Sequence, residues 1–174
     1  MGFVGINNYG VCVPLVRQAY DYTCGPASLA SCLYYWGAWG GSEPQLYSIC
    51  GTTYRGGTTW RGIVKGARKL GLNARVERKM TVKRLRQLVR RGKTIILSIQ
   101  SYNGDYHEMG DIWDHGHYVV LVGIKGQMVT VMDPEYAGTY RTMTVDELLG
   151  CWHDWNGWRR EFRGGIVLWG NRVK

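Results

Sequence analysis

Cys24 stands in the stretch Gln18-Ala-Tyr-Asp-Tyr-Thr-Cys24-Gly-Pro-Ala-Ser-Leu29, where a loop gives way to a helix. Thr23 can cap that helix, Pro26 is tolerated in a first turn, and nothing from Ala27 to Tyr35 breaks it. A thiol at a helix N-terminus meets the positive end of the helix dipole, which favours the nucleophilic thiolate. Gly25 would let a substrate backbone approach the sulfur. The plainer reading is a buried cysteine among small residues, because free cysteines are often buried.

A nucleophilic thiol needs a base, and the base needs a partner that orients it. The histidines are His107, His115, His117 and His153. His117 opens the apolar run His117-Tyr-Val-Val-Leu-Val-Gly-Ile124, directly after a polar, glycine-containing loop. Strand ends beside loops are where a rigid scaffold holds reactive groups. A turn at Gly126 sends the chain back as Met128-Val-Thr-Val-Met-Asp133, so the far ends of the two strands meet. Hairpin geometry therefore predicts that Asp133 neighbours His117. An acceptor there fixes the imidazole tautomer and stabilises its charged form. Each piece also has an ordinary reading, a structural histidine and an Asp-Pro turn. Asp111 and Asp114 share the loop before His117 and either help to place it or are solvated. His115 and His117 alone, with no cysteine or carboxylate cluster, do not predict a metal site, and no cofactor motif is present.

The surrounding elements suit this task. At 174 residues the chain predicts a single domain, 1–174, with room for a real core. Cys12, Cys24, Cys32, Cys50 and Cys151 are scattered and odd in number, which argues against a disulfide framework and for a reducing compartment such as the cytoplasm. No signal peptide is visible, and no apolar run is long enough for a membrane span. Caps at Ser42, Thr59 and Thr81 predict helices in the first half, with a short strand from Leu72 to Val76 between the last two. The runs from Thr94, His117, Met128 and Gly165 predict strands in the second half, with a short helix capped at Thr144. Helices first and antiparallel strands second make an α+β domain. The formal charge of +9 implies an acidic partner or substrate, or a solvated basic surface. A nucleic-acid module is the reading that Lys65, Arg68, Lys83 and Arg90 would support, but no nucleic-acid motif accompanies them.

Taken together, Gln18 to Leu29, the Gly116-His117-Tyr-Val-Val-Leu run and Asp133-Pro134 resemble the papain-like cysteine peptidases that process bacteriocin precursors after a double glycine. The resemblance runs from about residue 13 to about residue 170 and implies a helical half packed on a C-terminal antiparallel sheet. By that match Cys24 is the nucleophile, His117 the base, Asp133 its orienter and Gln18 a donor to the oxyanion. It also implies a peptide or protein substrate, cut after small residues such as glycine. The basic segments Arg61 to Arg75 and Lys79 to Lys93 add the expectation of an acidic recognition segment in that substrate. Two departures matter. Many relatives carry an acidic residue before the cysteine, where this chain has Thr23, and no nucleotide-binding loop of an exporter is present. The expectation is a stand-alone cysteine peptidase. The alternatives are an idle peptide-binding domain of the same fold and a peptidyl transferase using the same site.

Overall fold

The computed structural model describes residues 6–7, 10–102, 105–106, 109–136, 138–156 and 158–170. Its helices are α1 (Cys24–Trp36), α2 (Leu46–Cys50, entered through a 3-10 turn at Glu43–Gln45), α3 (Trp60–Lys69), α4 (Val82–Arg90) and α5 (Val145–Cys151). Its strands are β1 (Ile6–Asn7), β2 (Gly10–Val11), β3 (Asn73–Glu77), β4 (Thr94–Gln100), β5 (Gly116–Lys125), β6 (Met128–Met132), β7 (Arg141–Thr144), β8 (His153–Trp155), β9 (Arg160–Phe162) and β10 (Gly165–Trp169). The architecture is α+β.

The main sheet runs β1-β2-β5-β4-β10-β3, with β6 on β5 and β7 on β6, and its pairs are antiparallel. β8 and β9 form a separate small ribbon. The sheet is less C-terminal than the sequence pattern suggests. β1 and β2 end one branch and β3 the opposite edge, so first-half strands join the sheet, while β7 ends the branch that β6 starts from β5. β4 is buried along its whole length, as its unbroken apolar run requires. One contiguous apolar core joins the sheet to the helices through residues such as Leu29, Leu33, Ile63, Leu97 and Leu121.

Local chemistry fixes where the helices begin. Thr59 Oγ1 accepts from the Gly62 N–H at 3.1 Å, and Thr81 Oγ1 accepts from the Arg84 N–H at 3.1 Å. Ser42 with Gln45 and Thr144 with Glu147 each make reciprocal capping boxes. α1 differs. Thr23 occupies the cap position, but its hydroxyl accepts from the Tyr20 N–H at 3.1 Å and donates to the Tyr20 carbonyl at 2.9 Å. The hydroxyl closes the turn that delivers Cys24 and is not free to cap the helix behind it. Small residues let α1 sink into the core, and its buried hydroxyls are satisfied there: Ser28 donates to the Tyr118 carbonyl at 3.2 Å and Ser31 to the Pro14 carbonyl at 2.6 Å.

Candidate active site

Cys24 is the first residue of α1, and α1 lies against β5 through the Ser28–Tyr118 hydrogen bond. That contact brings the helix mouth to the start of β5, where His117 sits. Cys24 and His117 are each 7% exposed. On the neighbouring strand, β6 ends at Met132, opposite Val120, and Asp133 follows it. His117 Nε2 lies 2.8 Å from Asp133 Oδ1. With Nε2 occupied, Nδ1 is the ring nitrogen left to face the Cys24 thiol.

Asp133 is fully buried and both its carboxylate oxygens are engaged. Oδ1 also accepts from the Glu135 N–H at 3.0 Å, and Oδ2 accepts from the Tyr106 hydroxyl. Burial pushes its carboxyl up, but the hydrogen bonds from His117, Tyr106 and Glu135 outweigh that and hold it below the ordinary carboxylate range. Burial works against a charged imidazole too, yet the hydrogen bonds to Asp133 and to the Cys24 side chain push His117 up to about 10. The arrangement therefore holds a proton on the imidazole beside the sulfur. The other buried thiols contrast with this. Burial is the main cause that drives Cys32 and Cys151 up to about 12 and Cys50 up to about 11, which keeps them protonated and inert.

Gln18 is tethered to the same corner, its N–H donating to the Pro134 carbonyl at 2.9 Å. Its side-chain Oε1 is buried with no hydrogen-bond partner among the described residues. The remaining histidines stand apart. His115 stacks on Tyr102, and His153 is buried with Nε2 against the Ile112 carbonyl at 2.7 Å, a structural role. His107 lies outside the described residues. Asp111 and Asp114 are exposed. Ligand atoms of His117, Asp133 and Glu135 fall within 4.8 Å of one another. An ion there would have to displace the hydrogen bond His117 and Asp133 already share.

A cleft of about 1000 Å³ opens over Cys24. Tyr22, Tyr54, Trp113, Tyr118, Asp154 and Trp158 are among the residues that line it. Tyr118 and Thr58 both line the cleft, and the Tyr118 hydroxyl donates to the Thr58 carbonyl at 2.8 Å. A Cβ on Gly25 would stand 2.8 Å from the Thr58 Cβ, so this glycine serves the close approach of the Thr58 loop to α1. Three features have no spacing signal in the sequence: the Tyr106 hydroxyl on Asp133, the Tyr118 bridge, and Asp154. Asp154 accepts from the Ser98 hydroxyl, from Gln100 Nε2 at 3.0 Å and from the Trp155 N–H at 2.8 Å. It packs so closely on Gly116 that a Cβ there would stand 2.6 Å from its Oδ1. The glycine before His117 was therefore the one trace of Asp154 that the sequence carried.

Cys24 thus opens α1 while His117 on β5 and Asp133 after β6 share a buried hydrogen bond, all on an α+β fold. Residues 11–158 match the Peptidase_C39 like family, and the chain belongs to that family. An uncharacterized protein of Methanothermobacter marburgensis is 32% identical over 120 residues, covering 69% of this chain and 70% of that protein. The fold is similar to the peptidase domain of Streptococcus ComA, a bi-functional ABC transporter involved in quorum sensing. That likeness has a TM-score of 0.66 at 21% identity and covers 92% of this chain and 100% of that one. It is also similar to a double glycine motif protease from an AMS/PCAT transporter, solved in complex with its leader peptide. There the TM-score is 0.65 at 24% identity, over 94% of this chain and 95% of that one. Among the described residues, no helix is long and apolar enough to cross a membrane.

Proposed function

We propose that the protein is a cysteine peptidase that hydrolyses a peptide bond through an acyl-enzyme on Cys24. The observation that carries the reading is the buried His117–Asp133 hydrogen bond of 2.8 Å beside a cysteine that lines the cleft. Cys24, its proton already held on His117 in the resting pair, attacks the scissile carbonyl as the thiolate. Asp133 accepts from Nε2–H, so that Nδ1 points at the sulfur and the imidazolium is stabilised. Charge develops on the carbonyl oxygen as the tetrahedral adduct forms. The Gln18 amide and the first N–H groups of α1, which lack an intrahelical partner, are the donors placed to stabilise it. His117 then protonates the leaving amine. In the second half, His117 takes a proton from water, the water attacks the thioester, and Cys24 is released.

The substrate is a peptide or protein cut after a small residue such as glycine, in keeping with the likeness to a double glycine motif protease. A leader peptide bound to a structural neighbour agrees with an extended occupant. An acidic recognition segment in that peptide complements the chain's positive charge. The test is incubation with a peptide that carries an acidic segment followed by Gly-Gly, read by mass spectrometry. Two fragments separating after the glycines, absent with Cys24→Ala, are the expected result. An intact peptide under all conditions would leave a binding domain. A product condensed onto an added amine, in preference to the free acid, would make the protein a transferase using the same acyl-enzyme.

A further inference from the structure

Beside the cleft lies a second cavity of about 480 Å³ between α3 and β3, lined by Arg61, Val64, Lys65, Arg68, Arg75 and Val76. Arg61 lines the cleft over Cys24 as well, so the two spaces share a wall. Positions 61, 65 and 68 recur at helical spacing, which turns their cations onto one face of α3. No carboxylate lines this cavity. The nearest along the strand, Glu77, is held by Arg75 and Arg84. β3 is the outermost strand on its side of the sheet among the described residues. Arg68 reaches over that edge and donates from Nε and Nη2 to the Ala74 carbonyl, at 3.2 and 2.8 Å. By the alternation of an antiparallel ladder, Val76 turns its own N–H and C=O off the same edge.

The cations of the basic helix α4 are partly committed elsewhere. Arg84 is paired with Glu77 at 2.9 Å, and Arg86 donates to the Gly126 carbonyl, across the sheet from the cleft wall. Only one of the two basic segments therefore combines unpaired cations, an open strand edge and a path to the thiol.

We infer that this groove is the docking site for an extended acidic segment of the substrate peptide, which lies along β3 with its carboxylates on Arg61 and Lys65 and enters the cleft past Arg61. The inference rests on the peptidase reading for its occupant but is tested by binding, without turnover. Cys24→Ala protein is titrated into fluorescein-labelled peptides, one with an acidic segment before Gly-Gly and one with each acid replaced by Gln, and fluorescence anisotropy is recorded. At low salt the acidic peptide should bind about tenfold more tightly than the Gln peptide, as two exposed ion pairs would give. In the Cys24→Ala background, Arg61→Gln/Lys65→Gln should erase that difference, Arg61→Lys/Lys65→Arg should keep most of it, and Arg90→Gln/Arg91→Gln on α4 should leave it unchanged. Equal affinity for the two peptides overturns the inference. So does an Arg90/Arg91 variant that loses as much as the groove variant, which would mean a diffuse charge effect. Tighter binding of a labelled single-stranded oligonucleotide than of the acidic peptide, lost in the groove variant, would assign the groove to nucleic acid instead. Selective acidic-peptide binding in a protein that cleaves nothing would keep the docking site and sink only the peptidase reading.

Discussion

The sheet side and the helix side of the cleft hold their reactive groups in different ways. On the sheet side, His117 and Asp133 sit at the ends of two hydrogen-bonded strands, and both carboxylate oxygens of Asp133 are engaged by His117, Tyr106 or Glu135. On the helix side, Cys24 follows a turn closed on itself by Thr23, and Gln18 is tethered only by its backbone. The sheet side is therefore rigid and preorganised around a charge. On the proposed reading, the helix side carries the groups that touch substrate. The division suits the proposed chemistry, because the base must keep one tautomer while the nucleophile and oxyanion donor meet changing geometry.

The largest effect should come from the groups that react. Cys24→Ala should abolish measurable turnover while the thermal midpoint stays close to that of the wild type, and His117→Ala should be nearly as damaging. The Cys24→Ala/His117→Ala double variant should be no worse than either single change, since members of one catalytic unit are strongly non-additive. Steady-state rates on the Gly-Gly peptide check this. Activity surviving loss of His117 would remove the sheet side from the chemistry altogether.

Gln18→Ala should come next, lowering kcat by roughly 10²–10³ with little change in KM, the signature of one oxyanion donor lost. An unchanged kcat would make Gln18 a tether of the Pro134 corner only.

Stability should report on the sheet side. His117 is raised in the fold, so the stabilisation from its charged form is fully present below its ordinary value near 6.5 and is lost as pH rises towards about 10. Asp133 is lowered, so its contribution is present above the ordinary carboxylate range and is lost as pH falls through it. The excess in thermal midpoint of the wild type over Asp133→Asn should therefore be greatest at mildly acid pH and shrink steadily towards about pH 10. A pH-independent difference would mean that the pair is not ionic. Tyr106→Phe is the mildest change for catalysis. It leaves Asp133 Oδ2 buried without its donor, at a cost of about 1–3 kcal/mol of stability, measured by urea denaturation.

Much of this was legible in local signals. The Gly126 turn and the two apolar runs that flank it put His117 beside Asp133, and Thr59, Thr81, Ser42 and Thr144 each start the element that their cap chemistry predicts. What was not legible depends on distant pairing. Tyr106 reaches Asp133 from a loop 27 residues away, and Asp154 meets Ser98 across 56. No periodicity encodes such contacts. The two basic segments look alike in sequence, and only the sheet order separates them, leaving α3 on the cleft and α4 on paired cations. Thr23 was misread for a similar reason. A hydroxyl at a helix start usually caps, but here the preceding turn claims it.

The measurement closest to the central claim is mass spectrometry after brief exposure to an electrophilic peptide ending in Gly-Gly. One adduct on Cys24 is the expected result, formed much more slowly in His117→Ala, with Cys32, Cys50 and Cys151 unlabelled because burial keeps them protonated. First labelling at Cys12, or labelling of Cys24 at a rate indifferent to His117, would contradict the account.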